Sequence, residues 1–439
     1  MKQILTLIFA VFAASGAFAQ QRAWTLADCI RYALESNISL QQSEITVEQR
    51  DIALNTAQGR RLPGVQASSS QNFSFGRGLT ADNTYANTNT TSTSFSLGGE
   101  IPIFQGGQIN NNIAMSKLDL QAATADLEKA RDDISVAVAQ AYVQILYDQE
   151  ILDVALNQVS IDSLQVARLR EMERQGKASF AEVSAQEASL AQSRLSATQA
   201  RGNLQLAVLE LTQLLELPSP EGFSVARPDP AALQAGLLMN PEQIYAEAVG
   251  TKAKVRAEEL RLDYADMGIK QAKAGFLPSL SLSGGVGTNF YTSSGFPHAN
   301  FQDQIKNNFS QYIGLSLSIP IFSRFSTRND VRTAQLNRRN QELQLESVKK
   351  SLYKEIQQAY YNAVNSQKKL ESSEAAARSA EDAFALMSAK YESGKANITE
   401  FNESKNRYLE ASSNFLQARY EYLYQSKILD FYRGVELDF

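Results

Sequence analysis

Residues 279–290 read SLSLSGGVGTNF. Leu280, Leu282, Val286 and Phe290 fall at even positions, against Ser279, Ser281, Ser283 and Asn289 at odd ones. A period of two puts the two sets on opposite faces of a β-strand. The polar set is small and uncharged. A soluble sheet half-buried in a domain shows more Lys, Glu or Thr on its wet face. A membrane barrel carries an apolar outside and a polar, watery inside. Ten to twelve residues also suit a tilted crossing of a bilayer.

Three further stretches repeat this alternation. Residues 64–75 set Val65, Ala67, Phe73 and Phe75 against Gln66, Ser68, Ser70, Asn72 and Ser74. Residues 94–103 set Phe95, Leu97, Ile101 and Ile103 against Ser94, Ser96 and Glu100. Residues 312–321 set Ile313, Leu315, Leu317, Ile319 and Ile321 against Tyr312, Ser316 and Ser318. Four strands cannot close. An open edge in hydrocarbon leaves unpaired backbone groups, so several chains must pool their strands. Two, three or four copies all satisfy that requirement. The polar stretches 79–93 and 292–308 read as loops.

The strands belong to a duplicated plan. Ile101-Pro102-Ile103-Phe104 recurs as Ile319-Pro320-Ile321-Phe322, Ala141-Tyr142 as Ala359-Tyr360, Gly176-Lys177-Ala178 as Gly394-Lys395-Ala396, and Gln199-Ala200-Arg201 as Gln417-Ala418-Arg419, all at a spacing of 218 residues. Leu62-Pro63 and Leu277-Pro278 match at a slightly different spacing. The first repeat is expected over 20–216: a helix over 25–60, strands at 64–75 and 94–103, a long helix over 107–175 and a return helix over 179–216. The second is expected over 242–433: a helix over 242–275, strands at 279–290 and 312–321, a long helix over 323–393 and a return helix over 397–433. Proline-rich residues 217–241 form the connector, and 434–439 the C-terminal tail. Pro63, Pro102, Pro278 and Pro320 mark the junctions between helix and barrel strand. Thr25 and Asp28 have capping-box spacing, with Trp24 placed to staple onto the following turn.

The long runs lack Gly and Pro and are rich in helix formers. At 1.5 Å per residue each could extend roughly 100 Å, against about 11–12 residues for an ordinary helix. Val138, Ile145, Leu152, Val159 and Val166 are spaced by sevens, as are Ile356, Ala363, Leu370, Ala377 and Phe384. Sevenfold spacing marks helices packed along a supercoil seam. Acid pairs on the rods, such as Asp132-Asp133, read as solvated.

Composition narrows the function. Residues 1–19 read as a signal peptide: Lys2, an apolar run and Ala17-Phe18-Ala19. No later run is long enough for a transmembrane helix. One cysteine, Cys29, and one histidine, His298, supply no disulfide, no metal donor set and no catalytic constellation, so no enzyme and no cofactor is expected. A net charge of −5 argues against a nucleic-acid partner.

This arrangement resembles the TolC family of outer-membrane efflux proteins over essentially the whole mature chain. The resemblance rests on WTLADCIRYALESNISL (24–40), the paired Leu-Pro and Ile-Pro-Ile-Phe junctions, the two rods and the Gly-centred tips. It implies a homotrimer whose four strands per chain build a twelve-stranded β-barrel in outer-membrane lipid. The long helices would form an all-α tunnel through the periplasm. The chain would be a passive exit duct of an efflux or secretion system, docking a periplasmic adaptor and an inner-membrane transporter. A periplasmic coiled-coil adaptor is the alternative; it explains the rods but not the Ser-faced strands. The resemblance places Glu182, Glu400, Glu403 and Tyr391 at the periplasmic pore entrance, and Gly176, Lys177, Gly394 and Lys395 at adaptor-docking tips. Ser179-x-x-Glu182 and Asn397-x-x-Glu400 equally fit capping boxes, and Tyr391 equally continues the sevenfold ladder. The family's gating arginine corresponds to Ala396. Nothing in the sequence names the cargo.

Overall fold

The computed structural model describes residues 23–79, 83–228, 239–294 and 297–438. The expected signal peptide, residues 1–19, lies outside the described residues, as does part of the connector. The chain divides into two compact units that cut across the sequence repeats. One comprises 1–45, 125–256 and 347–439; the other comprises 46–124 and 257–346.

The second unit holds one antiparallel sheet, in the order β1 (Gly64–Leu79), β2 (Tyr85–Gln105), β3 (Ser279–Ser293) and β4 (Ser310–Ser318). Pairing keeps the two faces apart. Ser68 lies opposite Ser96 and Ser70 opposite Ser94, and each pair of hydroxyls is hydrogen-bonded at 2.7 Å. On the other face Leu97 meets Val286, Ile101 meets Leu282, and Leu280 and Leu282 meet Leu317 and Leu315. Tyr312 sits on the polar face and lies over Gly285, where an added Cβ would come within 2.9 Å of its ring.

The sheet departs from the expected strands in four places. A bulge between Pro102 and Phe104 drops Ile103 from the ladder and gives its apolar place to Phe104, opposite Leu280. Pro102 therefore lies inside β2 instead of ending it; a proline without an N–H is tolerated at such a bulge. β1 and β2 stay paired up to Leu79 and Tyr85, so most of 79–93 is strand, because Thr and Asn pair their backbones as well as apolar residues do. β4 ends at Ser318, leaving Ile319, Pro320 and Ile321 outside it. Within 292–308 a short helix, α7 (Phe301–Asn307), is capped by Asn300. Its Gln304 amide bonds both the N–H and the carbonyl of Tyr291 at 2.9 Å, taking the part of a neighbouring strand.

Each first helix is broken once. α1 (Leu26–Ser36) and α2 (Ile38–Gly59) part at Asn37; α5 (Pro241–Thr251) and α6 (Ala253–Ala274) part at Lys252. These bounds repeat at a spacing of 215. Asn37 leaves helical geometry, at ψ 125, and its Oδ1 accepts from the Ser39 N–H at 3.0 Å, restarting the helix. The long helices α3 (Gln108–Arg174) and α8 (Ser326–Glu392) and the return helices α4 (Phe180–Leu214) and α9 (Ile398–Tyr432) repeat at 218, end for end.

The first unit packs α1, the middle of α3 and the end of α4 around Cys29, Val138, Ile145, Leu146 and Leu211, all at most 1 % exposed. Burial pushes the Cys29 thiol up to about 12, which keeps it protonated. Thr25 and Asp28 form the capping box. Trp24 packs edge-on against Tyr32 and at a tilt against Phe223, and lies against the core cluster that includes Leu26 and Cys29. Its backbone pairs with the connector: Trp24 N–H donates to the Ser224 carbonyl and Ala226 N–H to that of Trp24. Tyr142 donates to the Ala226 carbonyl at 2.6 Å. Asp132 is a half-exposed acid, its side chain 38 % exposed. It faces Lys252, whose side chain is 10 % exposed; burial raises the Asp132 pKa and lowers that of Lys252.

Candidate functional site

The two helical hairpins of the first unit, α3–α4 and α8–α9, end in the same turn. Gly176 and Gly394 adopt φ +69 and +72, a left-handed geometry that favours glycine. Gly176 N–H donates to Glu173 and Lys177 N–H to Met172. Gly394 N–H donates to Tyr391 and Lys395 N–H to Lys390. Both sets are Schellman closures, which satisfy carbonyls left open at a helix end. Lys177 and Lys395 project beside them, exposed.

Each returning helix starts with a reciprocal cap. Ser179 Oγ accepts from the Glu182 N–H, and the Glu182 carboxylate accepts from the Ser179 N–H at 2.7 Å. Asn397 and Glu400 do the same, with the carboxylate bond at 2.9 Å. Hydrogen bonds from the Ser179 backbone, then from its hydroxyl, hold the Glu182 carboxyl below the usual glutamate range. Both glutamates remain exposed, so capping does not withdraw them from solvent. Glu403 is exposed too and pairs with Arg407 at 2.6 Å.

Tyr391 is half-buried. It stacks on Phe401, with ring centroids 4.9 Å apart, and Phe401 in turn contacts Phe384. The Arg168 guanidinium lies 5.7 Å from the Tyr391 centroid and donates to the Glu392 carbonyl at 3.0 Å. Burial pushes the Tyr391 phenol up. The ladder and the tip thus meet in one residue: Tyr391 packs on its own hairpin and touches the other through Arg168.

Deeper in the hairpins lies a cluster that sequence reasoning missed. Asp162 on α3 is fully buried and Lys405 on α9 is 2 % exposed; they pair at 2.7 Å. The Asp162 carboxylate also accepts from Gln158 at 2.8 Å, Gln186 at 3.1 Å and Ser193 at 2.5 Å. Lys405 further donates to Ser189 at 3.1 Å. The cluster joins α3 and α4 of the first repeat to α9 of the second. A buried ion pair survives only when such hydrogen bonds satisfy its remaining lone pairs and protons. The sequence carried a signal: Asp162 falls three residues after Val159 in the sevenfold ladder, on the inner seam. Its partner, 243 residues away, had none.

A sheet with one apolar face, two edge strands without a second neighbour and a pair of unusually long helical hairpins together define a membrane channel protein. Comparison with known sequences agrees. The outer membrane efflux protein family matches residues 29–216 and 244–435, one stretch per repeat, and the chain belongs to that family. It is an outer-membrane channel protein and not an enzyme. Outer membrane protein TolC of Escherichia coli (strain K12) is 24 % identical over 96 % of this chain and 84 % of its own length. Outer membrane protein OprJ of Pseudomonas aeruginosa is 24 % identical over 88 % of this chain and 77 % of its own. Among solved structures, the Campylobacter jejuni CmeC outer membrane channel has the same fold at a TM-score of 0.78, with 18 % identity over 94 % of this chain and 86 % of that one. The Neisseria gonorrhoeae MtrE outer membrane channel matches at 0.74, with 19 % identity over 93 % and 88 %.

Proposed function

We infer that three copies of this chain close one twelve-stranded barrel and form a passive exit duct, whose hairpin tips dock a periplasmic adaptor and an inner-membrane transporter. The observation that carries this reading is the sheet itself. β1 and β4 each have a single neighbour, and one face is Leu, Ile, Val and Phe. In lipid such edges need partners, and a second copy offers β4 to β1. Bacterial barrels start at eight strands, so one chain is too few. Barrel insertion into lipid bilayers and native mass measurement test the reading. A trimer that opens conducting pores is expected; a stable monomer, soluble without detergent, overturns it.

At the tips, Glu182, Glu400 and Glu403 form carboxylate rings around the pore entrance, favouring cations over anions. Their exposure supports this role alongside capping. Neutralising Glu400 and Glu403 together lowers cation preference in planar-bilayer recordings; unchanged selectivity removes them from the entrance. Gly394→Pro abolishes export and leaves barrel insertion intact. Normal export in that variant removes the tip from the docking surface. Tyr391, bridging to Arg168, holds the two hairpins of one chain together at the entrance.

A further inference from the structure

The sheet joins the helices at one end, through the starts of β1 and β3 and the ends of β2 and β4. The segments flanking the strands there are 54–63, 106–115, 269–278 and 319–328. They hold Arg60, Arg61, Lys270, Lys273, Arg324 and Arg328 and no Asp or Glu, in a chain whose net charge is −5. All six side chains are exposed. Among the described residues none of them has an ion-pair partner; Arg61 donates to the Asn110 side chain at 2.8 Å. Further along α8, by contrast, Arg338 pairs with both Asp266 and Glu342. In the same segments and at the end of β2 stand Phe104, Phe276, Phe322 and Phe325, 46–70 % exposed. Arg324 and Phe325 take left-handed backbone geometry, φ 50 and 66, which is uncommon for large side chains. Phe325 packs edge-on against Phe322, with ring centroids 5.6 Å apart.

We propose that these six side chains form a basic collar that binds the anionic headgroups of phospholipids in the periplasmic leaflet of the outer membrane. The apolar face of a membrane sheet ends, at the bilayer surface, in a girdle of aromatic rings, and the four phenylalanines stand where that girdle belongs. The layer beyond it is the phosphate of the headgroups. Guanidinium and ammonium groups donate charge-assisted hydrogen bonds to phosphate. Long basic side chains also lay their stems on apolar surface while the charge reaches the polar layer. A carboxylate among them would cancel the attraction, and the four segments contain none. The opposite rim of the sheet lacks this one-signed character: α7 carries both Asp303 and Lys306.

The inference rests on the sheet lying in lipid and not on the number of copies, and its test separates the two. Full-length chains are reconstituted in vesicles of phosphatidylcholine and phosphatidylglycerol and released in mild detergent, and the retained lipid is counted by native mass measurement. Enrichment of phosphatidylglycerol over its share in the vesicles is expected. It should be lost at about 1 M salt, where charges act over only roughly 3 Å. A native chain without enrichment overturns the proposal, and this arm needs no variant. Arg60→Gln, Arg61→Gln, Arg324→Gln and Arg328→Gln together should abolish the enrichment, and changing the same four to Lys should keep it. Enrichment retained in the Gln variant overturns the collar, and a shifted anion preference in planar bilayers then places these cations in the bore. A monomer enriched in phosphatidylglycerol keeps the collar and overturns the three-copy reading. A conducting trimer without enrichment does the reverse.

Discussion

The hairpins α3–α4 and α8–α9 have equal lengths, equal tips and equal caps, yet their seams differ. In the first, Asp162, Leu169 and Gln186 are each at most 3 % exposed. In the second, no residue of α8 beyond Ser366 is buried, and Leu386, the counterpart of Arg168, is 60 % exposed. Duplication preserved the backbone, which depends on helix propensity, glycine geometry and caps. The side chains along the seam were free to diverge. One seam became a polar joint closed within the chain, while along the other α8 buries no residue beyond Ser366. The lesson is that a repeat fixes where a joint lies, while its chemistry decides what fills it.

The strongest way to break this comparison is at the buried lysine. Lys405→Met leaves Asp162 buried without its counter-charge, and removing one partner of a buried pair costs about 3–5 kcal/mol. Amide exchange should show protection lost across 158–193 and 398–410. Arg407→Met, two positions on but exposed, should cost no more than about 1 kcal/mol and leave exchange there unchanged. Equal effects at the two positions would dissolve the distinction between the seams. Combining Asp162→Leu with Lys405→Met sharpens it: the double variant should recover most of the lost protection, because two well-packed apolar groups can replace a buried ion pair.

At the tips the comparison predicts sameness. Gly176→Ala and Gly394→Ala each force a side chain into left-handed geometry and should each cost about 1–2 kcal/mol, read as matched gains in exchange at Lys177 and Lys395. Ser179→Ala and Asn397→Ala should each cost about 1 kcal/mol through the lost cap. The smallest effect is with pH. The folded Glu182 pKa lies below its unfolded value, so its cap contributes fully above the ordinary glutamate range and is lost as pH falls through the lowered folded value. Exchange at the first tip, corrected for intrinsic rates, should accelerate only on that acid limb. Glu182→Gln should abolish the dependence.

Much of this was legible in the chain. The Ser and Leu faces of the sheet followed from a period of two, since pairing preserves side. The capping boxes and glycine closures followed from local spacing, because a cap involves residues only three or four apart. Three features were not legible. The bulge that displaces Ile103 depends on how β2 meets β3, nearly two hundred residues away. The extension of β1 and β2 through Thr and Asn has no apolar signature. The pairing of half-exposed Asp132 on α3 with buried Lys252, at the break between α5 and α6, joins an acid that reads as solvated to a lysine far along the chain.

The sequence by itself determined the elements, their duplication and the two faces of the sheet, because periodicity, propensity and capping act over a few residues. Only the tertiary structure decided which polar groups are buried and with whom. Lys405 looks like an ordinary surface charge until three helices enclose it with Asp162. Desolvation depends on everything that surrounds a group, and that is not written in its neighbours along the chain.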